Sequence, residues 1–197
     1  MDTVRQKSWS CRSIGIVTVG ILIIALSACG QARKQSDPEP GENAMTLKVN
    51  SPAFEDGNNI PVEYTGDGAD VSPPLNWDKV PDAAAALVVI ADDPDAPAGT
   101  WVHWVIYNIL PTRDGLPRNV PTDERVLDGA CQGTNDFKKI GYGGPAPPAG
   151  KAHRYFFTVY AVDQKLEDKP GMSKKEVLDA IDGHVLAKGK TMGTYQR

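Results

Sequence analysis

The chain has 197 residues, 41% hydrophobic and 23% charged, with a formal net charge of −4 at pH 7. That length suits one domain with its own core. The acidic surplus argues against nucleic acid and anionic lipid surfaces as general partners, because both need a basic surface.

The first residues form a targeting segment and no part of a fold. Arg5, Lys7 and Arg12 give a positive start, and Ile14 to Leu26 is an apolar and small-residue run too short to span a bilayer comfortably. It ends in Leu26-Ser27-Ala28-Cys29, which resembles the lipobox of bacterial lipoproteins, where the signal is cut before a cysteine that is then lipidated. Residues 1–28 are therefore expected to be a lipoprotein signal peptide, with Cys29 as the lipidation site. Gly30 rather than aspartate after the cysteine resembles the pattern sorted to the outer membrane. The expected location is the cell envelope, lipid-anchored at the periplasmic face, on the outer membrane if the source has two. Gly30 to Ala44 is Gln, Lys, Ser, Asp, Glu and Pro with almost nothing apolar, so it cannot bury enough surface to order itself. Residues 29–44 thus read as lipidated cysteine and tether, and residues 45–197 as the folded domain, which meets the membrane only through the N-terminal lipid. Loss of residues 1–28 removes Arg5, Lys7, Arg12 and Asp2, leaving 18 basic and 24 acidic residues, a net charge of −6. Cys11 leaves with the signal, so Cys131 stands alone in the domain, unable to form an internal disulfide, and reads as a small buried residue.

From Thr46 the pattern is that of a β protein. Thr46 to Val49, Val62 to Tyr64, Ala85 to Ala91, Trp101 to Asn108 and Tyr155 to Val162 are short strands separated by Gly, Pro, Asn and Asp clusters. The continuous apolar run Ala86 to Ala91 reads as a buried strand, and it ends at Asp92-Asp93-Pro94-Asp95-Ala96-Pro97, where the prolines forbid a central ladder and stiffen the strand end. Trp101 to Asn108 then returns. Strict alternation along it predicts His103, Val105 and Tyr107 on one face and Val102, Trp104 and Ile106 on the other.

Pro111 to Ala152 holds seven glycines and six prolines in 42 residues, too long for an idle loop. It is expected to wrap the surface and help form a site, its small residues leaving backbone N–H groups open for an anion. It runs into His153-Arg154-Tyr155 at the start of a strand. Beyond it, Ser173 and Glu176 have capping-box spacing and open a helix that buries Val177, Leu178, Ile181 and Val185, with His184 within it as a structural or solvent-facing residue. Lys190 to Arg197 reads as a last edge strand.

Five ordered motifs, Asp93-Pro94-Asp95-Ala96-Pro97, Trp101-Val102-His103-Trp104, Gly141-Tyr142-Gly143-Gly144-Pro145, His153-Arg154-Tyr155 and Gly193-Thr194-Tyr195-Gln196-Arg197, resemble the phosphatidylethanolamine-binding protein family. The likeness is to its bacterial branch, often described as Raf-kinase-inhibitor-like. It implies a mainly β fold, two antiparallel sheets in a Greek-key β-sandwich with short flanking helices, one near the C-terminus, and a small anion pocket at one end. Carried over residue by residue, the pocket is lined by Asp93, His103, His153 and Tyr155, with Asp95, Pro97, Gly143 and Gly144 as supporting wall. Two departures stand out: Ala146 occupies a position where the branch often has cysteine, and Gly150-Lys151-Ala152 before His153 is slightly short. The resemblance also implies a homodimer.

The residues fit that reading. Two imidazoles and a tyrosine hydroxyl can donate to a phosphate, phosphorylated headgroup or carboxylate, while the carboxylate accepts a proton from one imidazole and fixes its tautomer. Metal binding by two His and one Asp is a rival chemistry, but the residues are scattered and no metal or other cofactor is expected. No Gly-x-Ser-x-Gly elbow is present for serine hydrolysis. Two function classes stay open: a small-anion binding protein, and a hydrolase or lyase using His103 and His153 as acid and base. Kinase inhibition does not follow from a shared fold.

Overall fold

The computed structural model describes Met1, Thr3 and residues 45–197; the expectations for the signal peptide, Cys29 and the tether fall outside these residues. Within 45–197 the chain forms β1 (Met45–Thr46), β2 (Lys48–Asn50), a 3-10 turn (Val62–Tyr64), β3 (Leu75–Asp78), β4 (Ala86–Asp93), β5 (Trp101–Ile109) and β6 (Gly115–Leu116). It continues with β7 (Arg125–Val126), β8 (Ala130–Gln132), β9 (His153–Val162), α1 (Lys174–Ile181) and β10 (Val185–Tyr195). The strands make a seven-stranded sheet, ordered β1-β10-β9-β4-β5-β8-β7, and a three-stranded sheet, β2-β3-β6. Every pairing is antiparallel except β1 with β10.

Strand β4 is apolar from Ala86 to Ala91 because both faces of its sheet are covered there. Leu87, Val89 and Ala91 join Trp104, Phe157, Leu75 and Trp77 in the core between the sheets. Ala86, Val88 and Ile90 pack with Val177, Leu178 and Ile181 of α1 on the other side. The helix starts with the expected capping box, Ser173 Oγ accepting from Glu176 N while Glu176 Oε2 accepts from Ser173 N at 2.8 Å.

Four expectations are corrected. Val62–Tyr64 is a 3-10 turn and no strand: Pro61 cannot continue a ladder, and Thr65 Oγ1 donates to Val62 O at 2.8 Å, closing the turn. The helix stops at Ile181, so Val185 belongs to β10, and His184 sits on the intervening turn with its Nδ1 2.8 Å from Asp163 Oδ1. The last strand begins at Val185 and is no edge, since it lies between β1 and β9. Finally, β5 does not alternate strictly. Ala91 faces Trp104 and Asp92 faces Val102, so β5 spends two steps where β4 spends one, a β-bulge at His103.

A candidate ligand-binding site at one end of the large sheet

Because β4 is antiparallel to both neighbours, its carboxyl end lies beside the starts of β5 and β9. Asp93 ends β4, Trp101 begins β5 and His153 begins β9, which gathers groups far apart in sequence. The bulge completes the gathering. Val102 and Val105 pack with α1, whereas His103 stacks edge-on with Tyr155, ring centroids 5.2 Å apart, on the same side as Trp104. With regular alternation His103 would share the side of Val105 and Tyr107 and miss the site. Of the two neighbouring carboxylates, Asp92 turns the other way and pairs with Lys174 of α1. Asp93 points to the site, 3% exposed, its Oδ1 accepting from Asp95 N and its Oδ2 from His153 Nδ1, both at 2.7 Å.

These groups border a cavity of about 190 Å³. Asp93, Pro97, His103, His153 and Tyr155 line it. Asp95, Gly143 and Gly144 do not; they hold the lining in place. Asp95 takes the Arg154 backbone N at 3.0 Å and its Nε and Nη2 at 2.8 Å, and this guanidinium draws the Asp95 carboxyl down to about 2. Gly143 O accepts from His103 Nδ1 at 2.6 Å while Gly143 N donates to His103 O at 2.9 Å, and Gly144 N donates to Asp70 Oδ1 at 2.6 Å. Ala146, which the sequence reading singled out as a departure, also lines it, and that reading missed Ala96, Trp101, Phe137, Pro147 and Pro148 as lining residues. Phe137 offered one signal, a large apolar residue inside the polar stretch Asn135-Asp136-Phe137-Lys138-Lys139. Its place depends on Gly143, where an added Cβ would lie 2.8 Å from the Phe137 ring.

A family model described as phosphatidylethanolamine-binding protein matches residues 50–196, a span that contains every residue of this cavity. The chain belongs to the phosphatidylethanolamine-binding protein family. It is 52% identical over 153 residues to a UPF0098 protein of Methanothermobacter thermautotrophicus, a match spanning 78% of this chain and 99% of that one. A UPF0098 protein of Pyrococcus horikoshii is 41% identical over 188 residues, 93% of this chain and 89% of the relative. Among solved structures, CT736 of Chlamydia trachomatis, described as a homologue of phosphatidylethanolamine-binding protein, superposes with a TM-score of 0.71 at 39% identity over 77% of this chain and 98% of its own. YbcL of E. coli, described as a new member of the mammalian PEBP family, gives 0.72 at 31% identity over 78% and 99%.

In this family member the hydrogen bonds determine what the site offers a ligand. Each imidazole has its Nδ1 against an oxygen that can only accept: Asp93 carboxylate for His153, Gly143 carbonyl for His103. Both Nδ1 atoms therefore carry the proton, and each neutral ring is left with a bare Nε2. Burial pushes the His103 pKa below its ordinary value, against the pull of the Gly143 carbonyl and the Asp93 charge. The Tyr155 hydroxyl has its pKa raised, by burial first and by Asp93 second, so it stays a donor; it is buried with no hydrogen-bond partner among the described residues, as is Trp101 Nε1. Asp93 has each of its oxygens in a hydrogen bond to a protein donor.

Proposed function

We propose that this chain is a binding protein for a small anion (phosphate, a phosphorylated headgroup or a carboxylate), held in the cell envelope by a lipid on Cys29. The observation that carries the reading is Tyr155: a buried hydroxyl that lines the cavity, beside two oriented imidazoles, with no hydrogen-bond partner among the described residues. A buried polar group without a partner is costly, and an anion oxygen would satisfy it. The signal-like segment and the Leu26 to Cys29 motif support the anchor. The acid–base alternative, with His103 and His153 as acid and base, has less to stand on, since both imidazoles are held alike through Nδ1 and nothing in the geometry makes one the acid and the other the base.

The test is calorimetric titration of the full-length protein in detergent with inorganic phosphate, from about pH 5 to pH 8, where an imidazole titrates. Neutral imidazoles present Nε2 lone pairs, which repel an anion; protonated ones present N–H donors. Affinity should therefore rise as pH falls. A hydrogen bond to a charged group is worth about 1.5–3 kcal/mol, so His103→Ala, His153→Ala and Tyr155→Phe should each weaken binding roughly ten- to a hundredfold. Unchanged affinity in the double histidine variant would remove this cavity as the site.

A further inference from the structure

Of the ordered motifs, Gly193-Thr194-Tyr195-Gln196-Arg197 supplies no residue to the cavity lining, yet its last residues reach the cavity wall. Strand β10 ends at Tyr195, whose hydroxyl donates to Asp67 Oδ2 at 2.9 Å. The Arg197 guanidinium grips the same carboxylate, Nε at 2.9 Å from Oδ1 and 2.8 Å from Oδ2, Nη2 at 2.5 Å from Oδ1. Its third nitrogen, Nη1, donates to Ala146 O at 3.4 Å. Arg197 O accepts from Gly150 N, also at 3.4 Å, and Gln196 Nε2 donates to Gly150 O.

Ala146 and Gly150 belong to the segment that brings Ala146, Pro147 and Pro148 to the cavity. At one end this segment is fixed. Tyr142 OH donates to Tyr64 O at 2.7 Å, Gly144 N to Asp70 Oδ1 at 2.6 Å, and Pro145 O accepts from Gly66 N at 2.8 Å. At the other end His153 is fixed in β9. Between them, residues 146–152 make no hydrogen bond among the described residues except those to Gln196 and Arg197. Pro147 and Pro148 have no N–H to give, and residues 148–151 are exposed. A segment with so few bonds and so little burial opens at low free energy while the rest of the domain stays folded. Two of its ties are long, so its closure depends on how firmly Asp67 holds Arg197.

With the anion reading above as premise for the ligand, we propose that residues 146–152 are a hinged flap on the cavity, clasped shut by the Asp67–Arg197 ion pair, and that opening of the clasp sets how fast an anion enters and leaves. The clasp and the imidazoles answer to different conditions. Arg197 first, and the Tyr195 hydroxyl second, draw the Asp67 carboxyl below its ordinary range, so it stays charged where the imidazoles titrate. The two side chains are 38% and 32% exposed, within reach of salt, which weakens such a pair.

The experiment has two readouts on the full-length protein in detergent at about pH 6, within the imidazole range. The first is amide hydrogen exchange without ligand. Asp67→Asn and Arg197→Ala should each speed exchange of residues 149–152 about fivefold, the upper size of an exposed ion pair, and leave β4 and β9 unchanged. About 1 M sodium chloride, which confines screening to roughly 3 Å, should do the same to the unaltered protein. Asp128→Asn, which breaks the surface pair with Arg113, should change nothing at residues 149–152. The second readout is entry and release of inorganic phosphate, followed by phosphorus NMR line shapes. A flap that only gates changes both rates by one factor, so both variants should speed entry and release together and leave Kd within about twofold, a pattern that mere loss of structure does not give. Exchange at residues 149–152 unmoved by either variant and by salt overturns the clasp, and so does exchange that rises equally in β4 and β9. Faster exchange with unchanged phosphate rates overturns the gating while leaving the anion reading intact. Faster exchange with no phosphate binding in any form of the protein removes the anion reading, and with it the gating, and leaves the clasp standing.

Discussion

Asp93 has two acceptor atoms and both are committed, one to the Asp95 backbone and one to His153. It is therefore a positioning residue that sets which nitrogen of His153 faces the cavity. Asp93→Asn keeps the shape but replaces one acceptor with an NH₂, so the Asp95 N–H and the Nδ1–H tautomer of His153 can no longer both be accepted. The expected result, by the same calorimetry, is phosphate binding weakened about tenfold or more, the cost of an unsatisfied buried group. Tighter binding in Asp93→Asn would instead show the carboxylate to be a repulsive neighbour of the ligand. The sequence made Asp93, His103, His153 and Tyr155 legible because each sits in a short motif. It could not show which imidazole Asp93 orients, since that depends on β4 meeting β9 across 60 residues. Nor did it mark Phe137, whose role arises only because its turn packs against Gly143.

At the level of elements, the apolar run of β4 and the capping box of α1 were readable, since both are local patterns. The bulge at His103 was not, because a period-2 reading contains no extra residue. Strand β10 was hidden by composition. Gly189 and Gly193 depress strand propensity, yet each is required where another segment passes close: a Cβ on Gly189 would lie 2.2 Å from Leu47 O, and one on Gly193 2.5 Å from Ile60. The long Gly/Pro segment is likewise tied down by one residue. Gln132 is fully buried; its Oε1 accepts from Trp104 Nε1 at 2.7 Å, and its Nε2 donates to Pro121 O at 2.6 Å and Asp123 O at 2.7 Å. Gln132→Leu preserves volume but leaves the indole N–H and two carbonyls unpaired, so urea unfolding should show a loss of about 3 kcal/mol or more. A loss under about 1 kcal/mol would mean that these groups find other partners.

For the whole molecule, net charge limits how it can be held at a membrane. A single acyl chain binds a bilayer only marginally, and many peripheral proteins add a basic patch as a second attachment. The chain that remains after residues 1–28 has 18 basic and 24 acidic residues, and at −6 its overall charge is repelled by an anionic leaflet. Attachment by the lipid on Cys29 then predicts two outcomes in fractionated cells. High salt, which screens surface charge, should leave the protein in the membrane fraction. Cys29→Ser should move it from the detergent phase to the soluble pool or to an uncleaved precursor. Mature Cys29→Ser protein still in membranes would mean that something other than this cysteine holds it, and release of the unaltered protein by salt would mean that the acidic domain meets a charged partner at the surface.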